Sequence, residues 1–599
     1  MREIIFTLSM IFFVTLLFGQ KQEKRLAGID KALQEVLETW KTPGFAVAVV
    51  EKNKIIYAKG FGYSDYENKV PADANTLFAI GSCTKAFTSS LLGQLREDGE
   101  VDFNESPRTY IPKLKFFNQE MDNNIKVKDM MCHRTGLPRH DFSWYLFPTD
   151  SRDSLIQRIQ YQEPFAEVRE QWYYNNFMFM AQGVIAEEVT GKSWEDNVRE
   201  RIFKPLGMER SNLSIVELEK SKNVALGYET KEDGTIKKMD YYRIRGMAPA
   251  GSINSSVNEM AKWVQTWIYG GHYNDESILP TPYVSEAMSS QMVVGAGLPG
   301  KENPDLHMAT YGYGWFLSSY RGHYRVEHGG NIDGFSANTC FFPSDSIGII
   351  VLVNQNGSSV PSVVRNILAD KILGLSAVDW NKDIREQYDK AMKSQKEAEA
   401  SSSSNQKKGT KPSHQLIEYA GIYSHPGYGS FELVLVRDSL FAKFPLDSNY
   451  LEHYHYDVFQ PHNIEDGVID TTKSPVLLSF TTNTAGDIDG VTIPVEPTLD
   501  AMKFKRTPKT IEVASGQLEQ YAGEYELAGT TIKIYIKNEK VLYAFVPGQP
   551  EYELLATGKH KFTIKILEGY NLEFVEGDDG NIKQVKFIQP NGTFTATKK

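Results

Sequence analysis

The last third of the chain repeats itself, and this repeat constrains the fold more than any other feature of the sequence. Residues 416–423 read L-I-E-Y-A-G-I-Y, and residues 518–525 read L-E-Q-Y-A-G-E-Y. The triplet L-F-A at 440–442 returns as L-Y-A at 542–544. Both copies are rich in short alternating strands with Gly and Asp turns, which predicts two small antiparallel β-barrels or sandwiches. Two copies are too few for a solenoid.

A polar segment separates the first copy from the chain before it. Residues 393–413 contain four consecutive serines, several lysines and no apolar cluster. This composition is typical of a solvated, flexible linker. We therefore expect five parts: a signal peptide at 1–20, a large domain at 25–390, a linker at 391–413, and small barrels at 414–507 and 514–599.

The composition excludes some classes of function. A chain of 599 residues is too long for one core, and its net charge of -11 argues against nucleic acid as a partner. The three cysteines, Cys83, Cys132 and Cys340, form neither a disulfide framework nor a metal-ligand spacing. We expect no metal and no cofactor.

The chain starts like a secretory signal. Arg2 precedes an apolar run at 4–18 that ends at Gly19. The run is shorter than the roughly 20 residues of a membrane span, although an uncleaved anchor is the alternative. No later stretch is apolar enough to cross a membrane. We expect a periplasmic or secreted protein without membrane contact once the signal is removed.

The large domain has strand patterns at both ends and helical patterns between them. Residues 45–50 and 55–57 form a predicted hairpin around a turn at 53–54. Periodicity predicts further strands and a closing helix, in order, at 313–317, 324–327, 336–342, 347–353 and 360–373. Residues 131–260 mix helical periodicity with loops. The sequence therefore predicts an α+β domain with one sheet built from both ends and a helical insertion.

Ser82 and Lys85 form the most informative pair within this domain. If a helix starts near Ser82, Lys85 lies one turn later on the same face. A desolvated lysine near a helix N-terminus is suited to take the proton of a serine nucleophile, as in S-x-x-K enzymes. The alternative is a serine N-cap followed by a solvated lysine.

Four more patches accompany this pair. They are M-M-C-H-R-T-G-L-P at 130–138, W-Y-Y-N-N at 172–176, A-P-A-G-S-I-N-S-S at 248–256 and H-G-G-N at 328–331. Together with 77–87, they resemble the class C β-lactamase-like serine hydrolases, which include D-alanyl-D-alanine peptidases, D-aminopeptidases and esterases. The resemblance covers about 28–377. It implies a β-lactamase/DD-peptidase-like antiparallel sheet flanked by helices, followed here by two lipocalin-like all-β barrels.

The resemblance also implies roles for three side chains in catalysis. Ser82 would be the nucleophile that forms an acyl-enzyme, and Lys85 would take or share its proton. Tyr174 would pass a proton to the leaving group. Tyr173 competes for this role, but only Tyr174 has an asparagine two residues later.

Substrate binding is implied for the residues around them. Asn176 would bond the substrate amide and Lys85. His328, Gly329 and Gly330 occupy the place of the β-lactamase Lys-Thr-Gly element. The backbone N–H groups of Ser82 and Asn331 would hold the oxyanion. The two glycines would let substrate approach the strand closely.

One departure from the β-lactamase pattern affects the expected substrate. His328 replaces a lysine that helps to bind a substrate carboxylate, and an imidazole is a weaker anion anchor at pH 7. β-Lactam hydrolysis is therefore less expected than peptidase or esterase activity. A purely structural role for His328 is an alternative, as is a core role for Tyr174. We expect Cys83 to be a packing residue.

Residues 133–136 are expected to form a structural loop, with His140 and Asp141 after it lining the entrance to the site. The leading hypothesis is an exported serine hydrolase that cleaves amides or esters of D-amino-acid peptides, cell-wall peptides or small molecules. Alternatives are a β-lactamase, an inactive envelope protein that binds peptides or β-lactams, or an assembly protein working through its repeats. Oligomers are compatible with any of these.

Overall fold

The computed structural model describes residues 24–295, 308–402 and 405–599, apart from 466, 471–475, 485, 508–509, 539, 566, 568 and 590. The expected signal peptide at 1–20 lies outside the described residues. The chain divides into two compact units. The first comprises the described parts of Met1–Leu137, Asp150–Ile156 and Ala166–Met392, and the second comprises the described parts of Pro138–Thr149, Gln157–Phe165 and Lys393–Lys599.

The first unit is built on an antiparallel sheet with the strand order β10-β11-β12-β13-β14-β15-β1-β2-β3 among the described strands. Three two-stranded ribbons, β4–β7, β5–β6 and β8–β9, lie outside it. The strand bounds are β1 (Gly44–Glu51), β2 (Lys54–Asp65), β3 (Val70–Pro71), β4 (Phe78–Ala79), β5 (Gly227–Thr230), β6 (Ile236–Met239), β7 (Asn254–Ser255), β8 (His272–Tyr273), β9 (Glu276–Ser277), β10 (Met292–Gly295), β11 (Ala309–Tyr311), β12 (Phe316–Tyr320), β13 (His323–Ile332), β14 (Phe335–Phe342) and β15 (Ile347–Val353).

Helices occupy the insertion and flank the sheet. Their bounds are α1 (Ile29–Thr39), α2 (Thr84–Glu97), α3 (Gln119–Asn124), α4 (Val127–Met131), α5 (Phe142–Tyr145), α6 (Arg152–Arg158), α7 (Asn176–Thr190), α8 (Trp194–Val198), α9 (Lys204–Leu206), α10 (Ile215–Lys220), α11 (Ala248–Gly251), α12 (Val257–Ile268), α13 (Thr281–Ala287), α14 (Val360–Ile372) and α15 (Trp380–Ser402).

The central strands are apolar at almost every position because helices cover both faces of the sheet. In β1, Phe45, Val47 and Val49 belong to a core shared with α1 and α14. The alternating residues Ala46 and Ala48 are equally buried, and α12 packs on β1 and β15. Side chains of a strand alternate between faces, so a strand buried on both reads as a continuous apolar run.

The α+β prediction is confirmed. The hairpin β1–β2, the strands β14 and β15 and the helix α14 lie where periodicity placed them. Strand β13 extends five residues beyond the predicted end at 327, through two glycines that sequence patterns treat as strand breakers.

The two predicted barrels are also present, and both are closed. In the first, strands β16–β20 and β22–β24 form a ring closed by the pairing of β19 with β20, while β21 pairs with β20 alone. The elements are α16 (Leu416–Tyr419), β16 (Gly421–His425), β17 (Gly429–Val436), β18 (Ser439–Lys443), β19 (Ser448–His455), β20 (Val458–Glu465), β21 (Val468–Ile469), β22 (Leu478–Thr482), β23 (Ile488–Ile493) and β24 (Met502–Thr507).

The second barrel is a ring of eight antiparallel strands in chain order. Its elements are α17 (Ser515–Leu518), β25 (Gly523–Leu527), β26 (Thr530–Lys537), β27 (Val541–Phe545), β28 (Glu551–Gly558), β29 (Lys561–Ile564), β30 (Asn571–Glu576), β31 (Ile582–Gln589) and β32 (Gly592–Lys598). A closed ring removes the unpaired strand edges that an open sheet would expose.

The segment expected to be a flexible linker at 391–413 differs from the prediction over its first part, because α15 continues to Ser402. Serines are tolerated at the end of a helix, and sequence composition alone does not show where a helix of lysine, glutamate and alanine stops. No helix among the described residues is long and apolar enough to span a membrane.

Candidate active site

Ser82 and Lys85 lie at the start of α2. Ser82 belongs to a 3-10 turn, Gly81–Cys83, that leads directly into the helix. It is half-buried, whereas Lys85 is completely buried. Lys85 Nζ lies 3.0 Å from Ser82 Oγ. The predicted helical spacing therefore brings the hydroxyl and the amine into hydrogen-bond contact.

Two further oxygens surround the Lys85 amine. Its Nζ donates to Asn176 Oδ1 at 2.8 Å and to the Ala250 carbonyl oxygen at 2.8 Å. An ammonium group has three N–H donors, and three oxygens are present. A neutral amine would instead keep two donations and accept the Ser82 proton with its lone pair. The same positions of Nζ and its three oxygen partners are therefore compatible with the neutral lysine before a proton transfer from Ser82 and with the charged lysine after it.

The Ala250 carbonyl is held in place by the short helix α11. The neighbouring Pro249 carbonyl accepts a hydrogen bond from Thr88 Oγ1 on α2 at 2.6 Å. Trp194 Nε1 in turn donates to Thr88 Oγ1 at 3.0 Å. These bonds join α2, α8 and α11. The patch at 248–256 therefore has a role that its sequence does not indicate: it supplies a backbone acceptor for Lys85.

Tyr174 lies beside Lys85, just before α7. Lys85 Nζ is 4.7 Å from the centre of the Tyr174 ring, within the range of a cation–π contact. Asn175 is the N-cap of α7, because its Oδ1 accepts from Met178 N at 3.0 Å. Asn176, the first residue of the helix, then points to Lys85. The cap fixes the geometry of the Tyr-x-Asn element.

The loop at 133–136 supports Tyr174 from behind. His133 is buried, its ring centre is 4.4 Å from that of Tyr174, and its Nδ1 accepts from Asn175 N at 3.1 Å. The loop is anchored by the buried Asp129, which bonds Arg134 Nε at 2.7 Å and pairs with Arg169 at 2.6 Å. These contacts agree with the structural role expected for the loop.

Strand β13 passes very close to the Ser82 turn. A Cβ on Gly330 would lie 1.9 Å from the Ile80 carbonyl oxygen and 3.1 Å from Ser82 N. Gly81 has φ +51°, and a Cβ there would lie 2.8 Å from Asn331 N. Only glycine fits at both positions. The backbones of the Ser82 turn and of Asn331 therefore lie in close contact, which the expected pair of oxyanion N–H groups requires.

The two strand glycines differ in what they do. Gly330 makes room for the chain's own backbone, whereas a Cβ on Gly329 would meet only the Ala337 carbonyl oxygen, at an ordinary 3.7 Å. The side chain of Asn331 is exposed, and its Oδ1 accepts from Ser336 Oγ at 2.8 Å. The close approach of substrate expected at both glycines stays a prediction, whereas the contact at Gly330 is made by the chain itself.

His328 is almost fully buried next to Tyr174, with ring centres 6.2 Å apart. Its Nδ1 lies 2.6 Å from the Gly329 carbonyl oxygen, so this nitrogen carries the proton, and Nε2 accepts from Tyr311 Oη at 2.9 Å. Burial, reinforced by the Lys85 charge, lowers the pKa of His328 to about 3. The imidazole is therefore neutral at physiological pH.

Tyr311 was not identified from the sequence. It is fully buried, and burial raises the pKa of its phenol well above the ordinary value. A protonated phenol keeps donating to His328 and thus fixes its tautomer. The residue lies on β11, far from any recognised patch, and no signal in the sequence distinguishes it from a core aromatic.

Two other expectations concern Cys83 and His140. Cys83 is buried and its Sγ donates to the His328 carbonyl oxygen at 3.1 Å, while burial raises its pKa to about 12. It is a packing residue, as predicted. His140 does not line an entrance: it is completely buried in the second unit, together with residues of the first barrel.

Comparison with known proteins confirms the resemblance. The Beta-lactamase family model matches residues 29–373, more than half of the chain. The model of a domain of unknown function, DUF3471, matches 405–506, which contains the first barrel.

Curated relatives extend over much of the chain. The unguisins hydrolase ungD of Aspergillus violaceofuscus is 27% identical over 68% of this chain and 76% of its own length. The protein flp of Staphylococcus aureus is 25% identical over 57% of this chain and 65% of its own.

A solved structure shares the fold. The octameric penicillin-binding protein homologue from Pyrococcus abyssi has a TM-score of 0.53 and 21% identity, and the match covers 80% of this chain and 99% of that one. Family membership implies a small-molecule or peptide substrate. From its sequence and its fold, the chain belongs to the Beta-lactamase family of serine hydrolases.

Proposed function

We propose that the protein hydrolyses amide or ester bonds through an acyl-enzyme on Ser82, with Lys85 as the general base. The arrangement of Lys85 Nζ, 3.0 Å from Ser82 Oγ and held by Asn176 and Ala250, carries this proposal. Lys85 is completely buried, so bulk water does not compete with Ser82 for the amine. Neutral acceptors on two sides orient the amine lone pair toward the serine hydroxyl.

The reaction proceeds in two stages. The Ser82 hydroxyl proton passes to the Lys85 amine while Oγ bonds to the substrate carbonyl carbon. The carbonyl becomes an oxyanion between the N–H groups of Ser82 and Asn331. Collapse of this intermediate breaks the C–N or C–O bond, and the leaving group takes a proton by way of Tyr174. Water then attacks the acyl carbon and gives a proton to Lys85, the bond between this carbon and Oγ breaks to release the acid, and Lys85 returns the proton to Ser82.

Within this family we favour a class C-like peptidase or esterase over a β-lactamase. His328 stands where a β-lactamase presents a lysine, and it is neutral and buried. A neutral imidazole gives little attraction to a substrate carboxylate. The fungal relative is named a hydrolase, which agrees with a hydrolytic reaction. D-amino-acid peptides, cell-wall peptides and small esters are the substrates to test.

The decisive experiment compares Ser82→Ala with the wild-type protein. We expect the wild type to be labelled by a fluorophosphonate and to cleave para-nitrophenyl esters or D-aminoacyl anilides faster than nitrocefin. Ser82→Ala abolishes labelling and turnover. Ser277→Ala, an exposed serine in a hairpin, is the matched control and keeps both. Labelling of Ser82→Ala at the wild-type rate contradicts the nucleophile assignment.

A second variant separates catalysis from mere binding. Lys85→Met retains the length and burial of the side chain but removes the base, and we expect kcat to fall about 10³-fold with the fold intact. Near-normal kcat excludes Lys85 as the base. If wild type and Lys85→Met bind substrate equally and neither turns it over, the protein is the inactive binder of the alternative hypothesis.

Export is a separate proposal, supported by Arg2 and the apolar run that follows it. We expect the mature protein in the periplasm or medium, with an N-terminus near residue 21. Sequencing the N-terminus of the fractionated protein tests this. A cytoplasmic protein that begins at Met1 contradicts it.

A further inference from the structure

One end of the first barrel encloses a cavity of about 370 Å³. The apolar part of its wall includes Phe142, Leu146, Phe147, Phe444, Leu478 and Phe504. Small-molecule sites in proteins typically enclose 300–1,000 Å³ and are lined mainly by apolar and aromatic side chains. The cavity has the size and the lining of such a site. It belongs entirely to the second unit and contains none of the residues around Ser82.

Among the described residues, four polar side chains line the cavity: Asp447, Asn449, Asn463 and Asp470. Asn449 Nδ2 donates to Asn463 Oδ1 at 2.8 Å across the β19–β20 pair. Because each amide has both donors and acceptors, this pair retains bonding capacity toward a ligand. The two aspartates make this part of the wall acidic. No lysine, arginine or histidine is among the described residues that line the cavity.

Exposed apolar side chains lie next to the two aspartates in the chain. Val468 and Leu446 are the most exposed large apolar residues of the described chain, at 69% and 65%. Leu446 immediately precedes Asp447, and Val468 lies two residues before Asp470. Single exposed apolar side chains are common on protein surfaces, so we infer the ligand from the lining of the cavity alone.

We propose that this cavity binds a small organic cation with an apolar body and an ammonium group. The apolar body occupies the aromatic pocket, where burial of apolar surface supplies the affinity. The ammonium group lies at Asp447 and Asp470, where opposite charges attract. Fatty acids and other carboxylates are repelled by the same two aspartates.

Isothermal titration calorimetry on the full-length protein tests this with three matched probes, octylammonium, 1-octanol and octanoate. We expect saturable binding of octylammonium, weaker binding of octanol and the weakest binding of octanoate. Octanoate binding as tightly as octylammonium overturns the proposal. So does a lack of saturable octylammonium binding.

Paired variants locate the binding. Ala442 and Ala544 occupy equivalent positions of the two repeats, and both are buried. Ala442→Phe fills the cavity and abolishes octylammonium binding, whereas Ala544→Phe leaves binding unchanged. Equal binding by both variants overturns the assignment to the first barrel. Thermal unfolding of each variant establishes that it is folded.

Reversing the charge of Asp447 tests the proposal without changing a buried residue. Asp447 is exposed, so Asp447→Lys is compatible with the fold. We expect octylammonium to bind about fivefold more weakly and octanoate more tightly. Asp438→Lys, an exposed aspartate outside the cavity lining, leaves both affinities unchanged. Unaltered affinities in Asp447→Lys overturn the proposed ammonium position.

Discussion

The two C-terminal barrels share a sequence signature but complete their interiors differently. In both, the second tyrosine of the repeat bonds back to the first: Tyr423 Oη donates to the Tyr419 carbonyl at 2.7 Å, and Tyr525 Oη to the Tyr521 carbonyl at 2.8 Å. The signature therefore encodes one local device that joins the short entry helix to the first strand of each barrel.

The interiors differ because, among the described residues, a segment distant in the chain enters the core of the first barrel and not that of the second. Phe147, from the nested segment 138–149, is 3% exposed and belongs to the core of that barrel. It packs against Phe444 and Phe504, with ring centres 5.7 and 6.1 Å apart. The second core consists of residues from 513–596. A repeat thus specifies the ring of strands without specifying what fills it.

Equivalent positions of the strands show how the space for Phe147 arises. A Cβ on Gly429 would lie 2.8 Å from the Phe147 ring. By register against the preceding strand, Thr530 is the counterpart of Gly429 in the second barrel. The first barrel thus has a glycine, without a side chain, at the position where the Phe147 ring packs, whereas the second barrel has a threonine there.

The largest expected effect tests this contribution directly. Phe147→Ala removes a buried aromatic ring and should destabilise the first barrel by about 3–5 kcal/mol. Hydrogen exchange measured by mass spectrometry should increase in β16–β24 and remain unchanged in β25–β32. The control Phe142→Ala changes an exposed ring and costs little. Unaltered exchange in Phe147→Ala would show that the segment is not part of the core.

The pH dependence of the first barrel is the next largest effect. Burial lowers the pKa of His140 to about 4, against an ordinary value near 6.5. Its Nε2 donates to the Glu163 carbonyl at 3.0 Å, and its Nδ1 accepts from Tyr428 Oη at 2.8 Å. Asp141 lies nearby and favours the protonated form, whereas His425 opposes it when charged.

The sign follows from proton binding. Between pH 6.5 and 4 the unfolded chain binds a proton that folded His140 excludes, so stability falls as the pH falls through this window. The loss reaches about 3 kcal/mol. Unfolding free energies measured from pH 7 to 4 should show a shallower dependence in His140→Gln than in the wild type. Parallel curves contradict this assignment.

A smaller effect is expected at the glycine that admits Phe147. Gly429→Ala places a methyl group against the Phe147 ring, on a backbone whose φ of +146° disfavours a side chain. It should destabilise the first barrel by about 2 kcal/mol. Its counterpart, Thr530→Ala, should change the stability of the second barrel by less than half of that. Denaturant unfolding followed by exchange in each barrel measures both. Equal effects would remove the proposed difference between the barrels.

The smallest effects test what the barrels share. Tyr423→Phe and Tyr525→Phe each remove one hydrogen bond and leave a buried carbonyl without that donor. Each should cost about 1 kcal/mol, in the first and the second barrel respectively. Clearly different costs would show that the common signature plays different roles. Both are read from the shift of the denaturant midpoint.

Much of the active site was predictable because it rests on local spacing. Lys85 follows Ser82 by three positions, about one helical turn, and Asn176 follows Tyr174 by two positions, with the helix cap Asn175 between them. The Ala250 carbonyl was not predictable as a partner of Lys85, because a backbone oxygen carries no signal in the sequence. Tyr311 resembles any other core tyrosine.

The sequence by itself determined the duplication, the helical turn that pairs Ser82 with Lys85, and the sheet built from both ends of the first domain, since each depends on short-range periodicity. Only the tertiary structure decided that His328 is neutral and that Gly330 packs against the backbone of Ile80. It also decided that Phe147 belongs to the core of a barrel far along the sequence. These outcomes depend on desolvation and packing between residues distant in the chain, and neither is encoded in the spacing of neighbours.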